Sequence, residues 1–233
     1  MTESTSKRAV VLVSGGMDSA TAAYEAQAEG YDLYLLHTSY GQETEDKEYE
    51  CAERLAEEVD AADFLRIETD HLAAIGGSSL TDDEMDIADA DLDSESVPTS
   101  YVPFRNANLL AMAVSYAEAN DCEAVFIGAH TEDFSGYPDC RPAFFDAFQG
   151  VVDAGTRDDT HVEIRAPFAE LSKTDIADRG VELGVPYEDT WSCYRAESPA
   201  CGTCDACAFR LKAFQNVGVR DPIEYERRPE YAD

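Results

Sequence analysis

Apolar positions along this chain fall into short runs separated by longer stretches of helical period. Residues 9–13 form an apolar run that stops at Ser14, Gly15 and Gly16 and gives way to an alanine-rich helical segment ending near Gly30. Residues 33–37 read as a second buried strand. Residues 43–58 read as a helix, with Tyr49, Ala52, Leu55, Ala56 and Val59 recurring on one face. Residues 64–67 make a third strand. Strand–helix–strand–helix–strand order predicts an α/β fold with a doubly wound parallel sheet and right-handed crossovers.

The next stretch, 81–96, reads TDDEMDIADADLDSES. It is acidic and of low complexity, and is expected to be a mobile surface insertion. Regular pattern resumes after Tyr101, Val102 and Pro103, with a helix over 106–119 and a strand over 124–128. A loop rich in functional residue types covers 129–141. Helix 143–154, strand 161–166 and helix 174–183 complete a sheet domain expected to span 1–190. From Trp191 the character changes to a cysteine cluster, a helix over about 205–216 and an acidic tail, a small C-terminal subdomain over 191–233.

Charge changes the picture of the surface. The 233 residues carry 49 acidic and 17 basic groups, a net −32, and only four lysines: Lys7, Lys47, Lys173 and Lys212. The acid excess is spread over the whole chain, which suits a hydrated surface in a high-salt cytoplasm, where a Debye length of about 3 Å at 1 M suppresses self-repulsion. Such a surface repels phosphate backbones, and the one basic run is Arg227-Arg228, so direct nucleic-acid binding is disfavoured. The first residues are polar and no stretch approaches the roughly 18 apolar residues of a membrane span. A cytoplasmic protein is expected.

Ser14, Gly15, Gly16, Met17, Asp18 and Ser19 lie between a predicted strand and a predicted helix. There, backbone N–H groups and the positive helix end converge on an anion. Glycine at 15 and 16 is expected to let the backbone approach a phosphate. Ser14 and Ser19 offer hydroxyls, and Asp18 a carboxylate for Mg²⁺. The Walker pattern and G-x-G-x-x-G are both absent. Ser-Gly-Gly-x-Asp-Ser resembles instead the PP-loop of the ATP pyrophosphatase superfamily, whose members cleave ATP between the α and β phosphates.

Seven cysteines is an odd count, and Cys193, Cys201, Cys204 and Cys207 follow C-x7-C-x2-C-x2-C. In a reducing compartment this reads as metal binding. A closed Cys₄ set is structural, and spacing alone leaves zinc and iron–sulfur ligation open. Cys51 and Cys122 read as buried packing thiols, whereas Cys140 lies beside Arg141 in the functional loop.

Taken together, the motifs resemble the 7-cyano-7-deazaguanine synthase family. The matching pieces are the phosphate loop; Tyr40-Gly41-Gln42; Tyr101-Val102-Pro103-Phe104-Arg105-Asn106; and the run from Thr131 to Arg141 that contains Asp133-Phe134-Ser135-Gly136-Tyr137-Pro138-Asp139-Cys140. Lys173 after Leu171-Ser172, and Ser192-Cys193-Tyr194 leading into the last three cysteines, complete the match. It spans about residues 9–222, and the acidic insertion is its one departure. The resemblance implies ATP with Mg²⁺, 7-carboxy-7-deazaguanine and ammonia as reactants, a structural zinc, and a homodimer.

The chemistry then suggests roles. A carboxylate oxygen attacks the ATP α-phosphorus, ammonia displaces AMP to give an amide, and a second adenylation removes the amide oxygen to leave a nitrile. Val13, Ser14, Gly15, Gly16, Met17, Asp18, Ser19, Ala20 and Thr21, with Arg105 and Asn106, form the expected nucleotide-binding set. Asp18, Lys173 and Asp133 are the candidate catalytic residues, Lys173 as partner of the departing pyrophosphate. Asp133 or Asp139 suits the N1–H and amino donors of the base, Phe134 or Tyr137 its face, and Arg141 the substrate carboxylate, with Ser135 in the same loop. His37 and His130 sit near strand ends, where such sheets build sites. Competing readings are a tRNA-thiolating PP-loop enzyme, a relative that stops at the amide, and a cysteine knuckle that acts as a binding module.

Overall fold

The computed structural model describes residues 7–82, 85–92, 97–130 and 137–232. In chain order the elements are β1 (Lys7–Leu12), α1 (Met17–Ala28), β2 (Tyr31–Ser39), α2 (Glu45–Glu58), β3 (Asp63–Glu68) and α3 (Asp70–Ile75). There follow α4 (Arg105–Ala119), β4 (Ala124–Ile127), α5 (Pro142–Gly155), β5 (Glu163–Arg165), α6 (Lys173–Leu183) and α7 (Asp205–Val217). Single 3₁₀ turns lie at Pro138–Cys140 and Tyr187–Asp189. The five strands order as β3-β2-β1-β4-β5, and every neighbouring pair is parallel. Reversal of strand order beside β1 leaves a crevice at the carboxyl ends of β1, β2 and β4.

Alternation along the buried strands divides the core. Val11, Leu35 and Phe126 face one side, packed with Ala20 and Ala23 of α1, Leu55 of α2, Ile176 of α6 and Phe214 of α7. Val10, Leu36 and Val125 face the other, against Leu110 and Ala113 of α4 and Phe145 of α5. Strands buried on both faces read as continuous apolar runs, which is why they were legible without a period-2 pattern. Strand 161–166 is the exception: only Glu163–Arg165 pairs with β4. The six-residue α3 is too short to display a helical period, and no sequence signal marks it.

Two segments make contacts that their sequence does not announce. The C-terminal region, expected as a small subdomain over 191–233, packs on the sheet domain through Ala213 and Phe214 of α7, which belong to the main core. Arg210, fully buried, ties it further: its guanidinium donates to both Asp221 carboxylate oxygens (2.8 and 3.0 Å), to Thr190 Oγ1 (2.7 Å) and to the Tyr187 carbonyl (2.9 Å). The acidic insertion, expected as a mobile surface insertion, has no helix or strand in its described part and is anchored there by several contacts. Asp89 bridges Cys204 as an antiparallel pair, the Ala90 amide donates to the Thr203 carbonyl, and Arg195 bonds Asp89 Oδ1 and the Ile87 carbonyl. Ile87 packs against the cysteine cluster. Among the described residues, no helix is long and apolar enough to cross a membrane.

Candidate active site

β1 runs directly into the glycine turn, and Gly16 precedes the first turn of α1 with no side-chain cap. First-turn N–H groups of a helix lack intrahelical acceptors, so this end of α1 presents donors and positive potential to the crevice. The Ser19 hydroxyl stitches the turn, receiving the Ser14 amide (3.2 Å) and donating to the Gly16 carbonyl (2.9 Å). Val13, Ser14, Gly16, Met17, Asp18 and Ser19 all line the cleft. Ala20 and Thr21 do not; Thr21 turns inward, bonding the Met17 carbonyl and the Tyr187 hydroxyl.

Gly15 serves a purpose different from the expected one. Its φ is +79°, and a Cβ there would lie 2.3 Å from the Glu48 carbonyl oxygen. The missing side chain makes room for the backbone of α2, while the Trp191 amide donates to the Gly15 carbonyl (2.8 Å). Gly128, at the exit of β4, is a close approach that no sequence motif announced: a Cβ there would meet the Asp18 carbonyl at 2.7 Å.

Lys173 is the first residue of α6. Ser172 and Asp175 form a capping box that fixes this start and aims the lysine at α1. Its ammonium donates to Asp18 Oδ2 and lies 3.4 Å from His130 Nε2, which is 3.7 Å from the same carboxylate oxygen. Burial works to raise the Asp18 pKa, but the Lys173 charge and then the His130 contacts outweigh it and hold the carboxyl well below the usual carboxylate range. Asp18 Oδ1 is shielded from solvent and has no hydrogen-bond partner among the described residues. An ionised carboxylate oxygen left in this way at a phosphate-type site fits a hard cation such as Mg²⁺. His130 therefore belongs to the site. His37 does not; it is fully buried in β2 and bonded through Nδ1 to the Val13 carbonyl (2.9 Å).

Further residues line the cleft beyond the loop. Arg105 donates to the Tyr40 hydroxyl (2.9 Å) amid Tyr137 and Tyr194. Tyr137 is buried with its hydroxyl 3.0 Å from Ser100 Oγ. Asn106 lines the cleft, but its side-chain amide is held by the Asp139 carbonyl and Cys140 Sγ. Asp139 is committed to α4: its carboxylate accepts from the Asn106 amide (2.9 Å), capping a helix whose preceding residue, Phe104, is left-handed. Arg141 is exposed at the start of α5 and does not line the cleft. Asp133, Phe134 and Ser135 lie outside the described residues. Glu48 was not anticipated. Its carboxylate accepts from Gln42 Nε2 (3.0 Å) and Thr44 Oγ1 (2.9 Å), and burial pushes its pKa up to about 7 against the pull of those donors and of Arg105.

The C-terminal segment that carries the four clustered cysteines closes one side of the cleft, where Trp191, Ser192, Tyr194 and Phe209 contribute lining. The sulfurs of Cys193, Cys201, Cys204 and Cys207 all lie within 4.8 Å of one another, and Cys201 and Cys207 are 3.9 Å apart. Backbone amides point at them: Arg195 and Cys201 donate to Cys193 Sγ, and Thr203 and Cys204 to Cys201 Sγ. Donors of that kind stabilise thiolates, and the close spacing fits four ligands around a single ion. Cys51, Cys122 and Cys140 are buried and stand outside the four-sulfur set, Cys51 in the apolar cluster that also holds Cys193, Cys204 and Cys207; burial raises all three thiol pKa values to about 11.

Comparison with known proteins bears on this arrangement directly. The family model described as "Queuosine biosynthesis protein QueC" matches residues 8–218. The chain belongs to the QueC family. Curated relatives are named 7-cyano-7-deazaguanine synthase. That of Haloarcula marismortui is 77% identical over the whole of both chains. That of Halobacterium salinarum is 74% identical, covering 97% of this chain and 98% of the relative. A third, from Methanoculleus marisnigri, is 54% identical over 95% of this chain and all of its own. The matched span contains both the glycine-rich turn and the four clustered cysteines, and the Haloarcula relative accords with a salt-adapted acidic surface.

Proposed function

We propose that this chain uses ATP to convert 7-carboxy-7-deazaguanine and ammonia into 7-cyano-7-deazaguanine, the nitrile base that feeds queuosine and archaeosine formation in tRNA. The observation that carries the reading is the uncapped start of α1, with Asp18, Lys173 and His130 gathered in front of it. Backbone donors there suit the diphosphate that departs when a substrate oxygen takes the α-phosphorus. Lys173 adds a mobile positive charge that follows developing negative charge on the leaving group. Its present partner, Asp18, holds it aimed at the start of α1.

Mg²⁺ arriving with the nucleotide would be met by Asp18 Oδ1 and would neutralise phosphate charge. A zinc ion would be held by Cys193, Cys201, Cys204 and Cys207 and would fix the wall that carries Trp191 and Tyr194; with four protein ligands it has no open position for chemistry. Arg105, ringed by Tyr40, Tyr137 and Tyr194, offers a cation and aromatic faces for a planar anionic base. Carboxylate activation, attack by ammonia and dehydration of the amide by a second adenylation complete the sequence as a ligase reaction forming a carbon–nitrogen bond.

The test is to incubate the protein with the 7-carboxy base carrying ¹⁸O in its carboxylate, together with ATP, Mg²⁺ and ammonium. Mass spectrometry is expected to find the nitrile as product and ¹⁸O in released AMP. AMP formed without the acid, or acid-dependent AMP free of label, would overturn adenylation; accumulation of the amide alone would assign a shorter reaction.

A further inference from the structure

The Tyr40-Gly41-Gln42 turn builds a holder for one carboxyl group. Gln42 is buried; its Oε1 accepts the Tyr40 amide (2.9 Å), which turns its Nε2 toward Glu48 Oε2 (3.0 Å). Thr44, also buried, donates to Glu48 Oε1 (2.9 Å) and lies 3.2 Å from the Cys193 carbonyl, which ties the holder to the cysteine wall. On the other side the Glu48 carbonyl rests where Gly15 lacks a side chain, so the residue sits against the phosphate loop itself. Each carboxylate oxygen accepts one of these bonds, and a carboxylate has further lone pairs to offer. Glu48 lines the same cleft as Ser14, Asp18 and Lys173.

We propose that Glu48 is the base that takes the protons of the incoming ammonia. The assignment rests on the nitrile-forming reading, which demands such a group. When ammonia attacks the acyl-adenylate, the new C–N bond forms, the C–O bond to AMP breaks, and nitrogen must shed one proton to become the amide. Adenylation of the amide oxygen and loss of that oxygen with AMP release two more protons as the C≡N bond completes. No oxidant or reductant enters. Pyrophosphate and AMP leave through the loop, and the protons need an acceptor that is ionised near neutrality and returns its proton to solvent between steps.

The neighbourhood is tuned for that duty. Burial raises the Glu48 pKa to about 7; facing it are Arg105 from α4, which lowers it, Glu45 on its own helix, which raises it, and the Tyr40 phenol. A carboxyl near 7 is a stronger proton acceptor than an ordinary one and still half ionised at its working pH. Lys173, Asp18 and His130 are drawn to one another at the phosphate loop, whereas Glu48 bonds neutral donors that do not compete for a proton.

The test separates the half-reactions. Glu48→Gln keeps the shape and loses the base. Expected is retention of acid-dependent exchange of pyrophosphate into ATP, the signature of adenylation, within a few fold, with amide, nitrile and AMP formation in the presence of ammonia lowered by about 10²-fold or more. Hydroxylamine, which gives up its proton more readily, should be affected far less. In the wild type, amination at constant free ammonia should rise through pH 7 to a plateau, and this limb should vanish in the variant. Equal loss of adenylation and amination, or a variant that aminates normally with the same limb, would overturn the proposal. If the variant does not fold, the wild-type profile decides: no limb near pH 7 also overturns it. Failure of the wild type to make acid-dependent AMP would fault the proposed reaction instead.

Discussion

Replacing Glu48 by glutamine should stabilise the protein above neutral pH, independently of catalysis. The folded carboxyl has a pKa of about 7 against an ordinary value of 4.5, because burial penalises its charge. A pKa raised by folding means that the native state holds its proton more tightly than the unfolded chain. The associated stability is therefore fully present below pH 4.5 and is lost as pH rises through 7. Between about pH 5 and pH 8 full expression of the shift amounts to about 2.5 kcal/mol, and solvent in the open cleft reduces the expected effect to between about 1 and 2.5 kcal/mol. Glutamine retains the side-chain volume and never ionises. Denaturant titrations of both proteins at the two pH values and one high salt concentration isolate the term, since the other carboxylates titrate alike in both. The variant should be about as stable as the wild type near pH 5 and more stable near pH 8. A stability difference that stays constant with pH would refute the placement of an unusually protonated carboxyl in the cleft.

Gly15→Ala should cost about 2–4 kcal/mol of stability, from a left-handed φ and a Cβ driven against the Glu48 carbonyl, and should weaken ATP binding as α2 shifts; an unchanged denaturation midpoint would contradict the close packing. Lys173→Met should lower acid-dependent AMP formation by about 10²-fold or more and leave metal content intact, read by AMP assay and elemental analysis. Cys201→Ser should reduce bound zinc from one ion per chain and lower the melting temperature, whereas iron with acid-labile sulfide in the wild type would refute the single-ion reading. Asp221→Asn removes one charge of a fully buried pair and should destabilise by about 3–5 kcal/mol; a loss below about 1 kcal/mol would show that Arg210 finds another partner.

The chain's local chemistry was enough to specify most of its strands and its longer helices, its glycine-rich turn and its cluster of four cysteines. Strands buried on both faces are written as apolar runs, a glycine-rich turn between strand and helix is written in adjacent letters, and cysteines three apart need only a helix start to converge. Each of those features is short in sequence, so neighbouring residues carry its signal. Tertiary structure alone decided which polar groups meet. Asp18 and Lys173 are 155 positions apart, and nothing in either local pattern announces that α1 and α6 share an end. Glu48 reads as one more acid on an acidic helix until Gln42, Thr44 and the glycine turn enclose it. Asp139 reads as a base-binding carboxylate until the start of α4 claims it. Burial sets the meaning of a titratable side chain, because the cost of its charge depends on everything packed around it, and that enclosure comes from segments far apart in the chain.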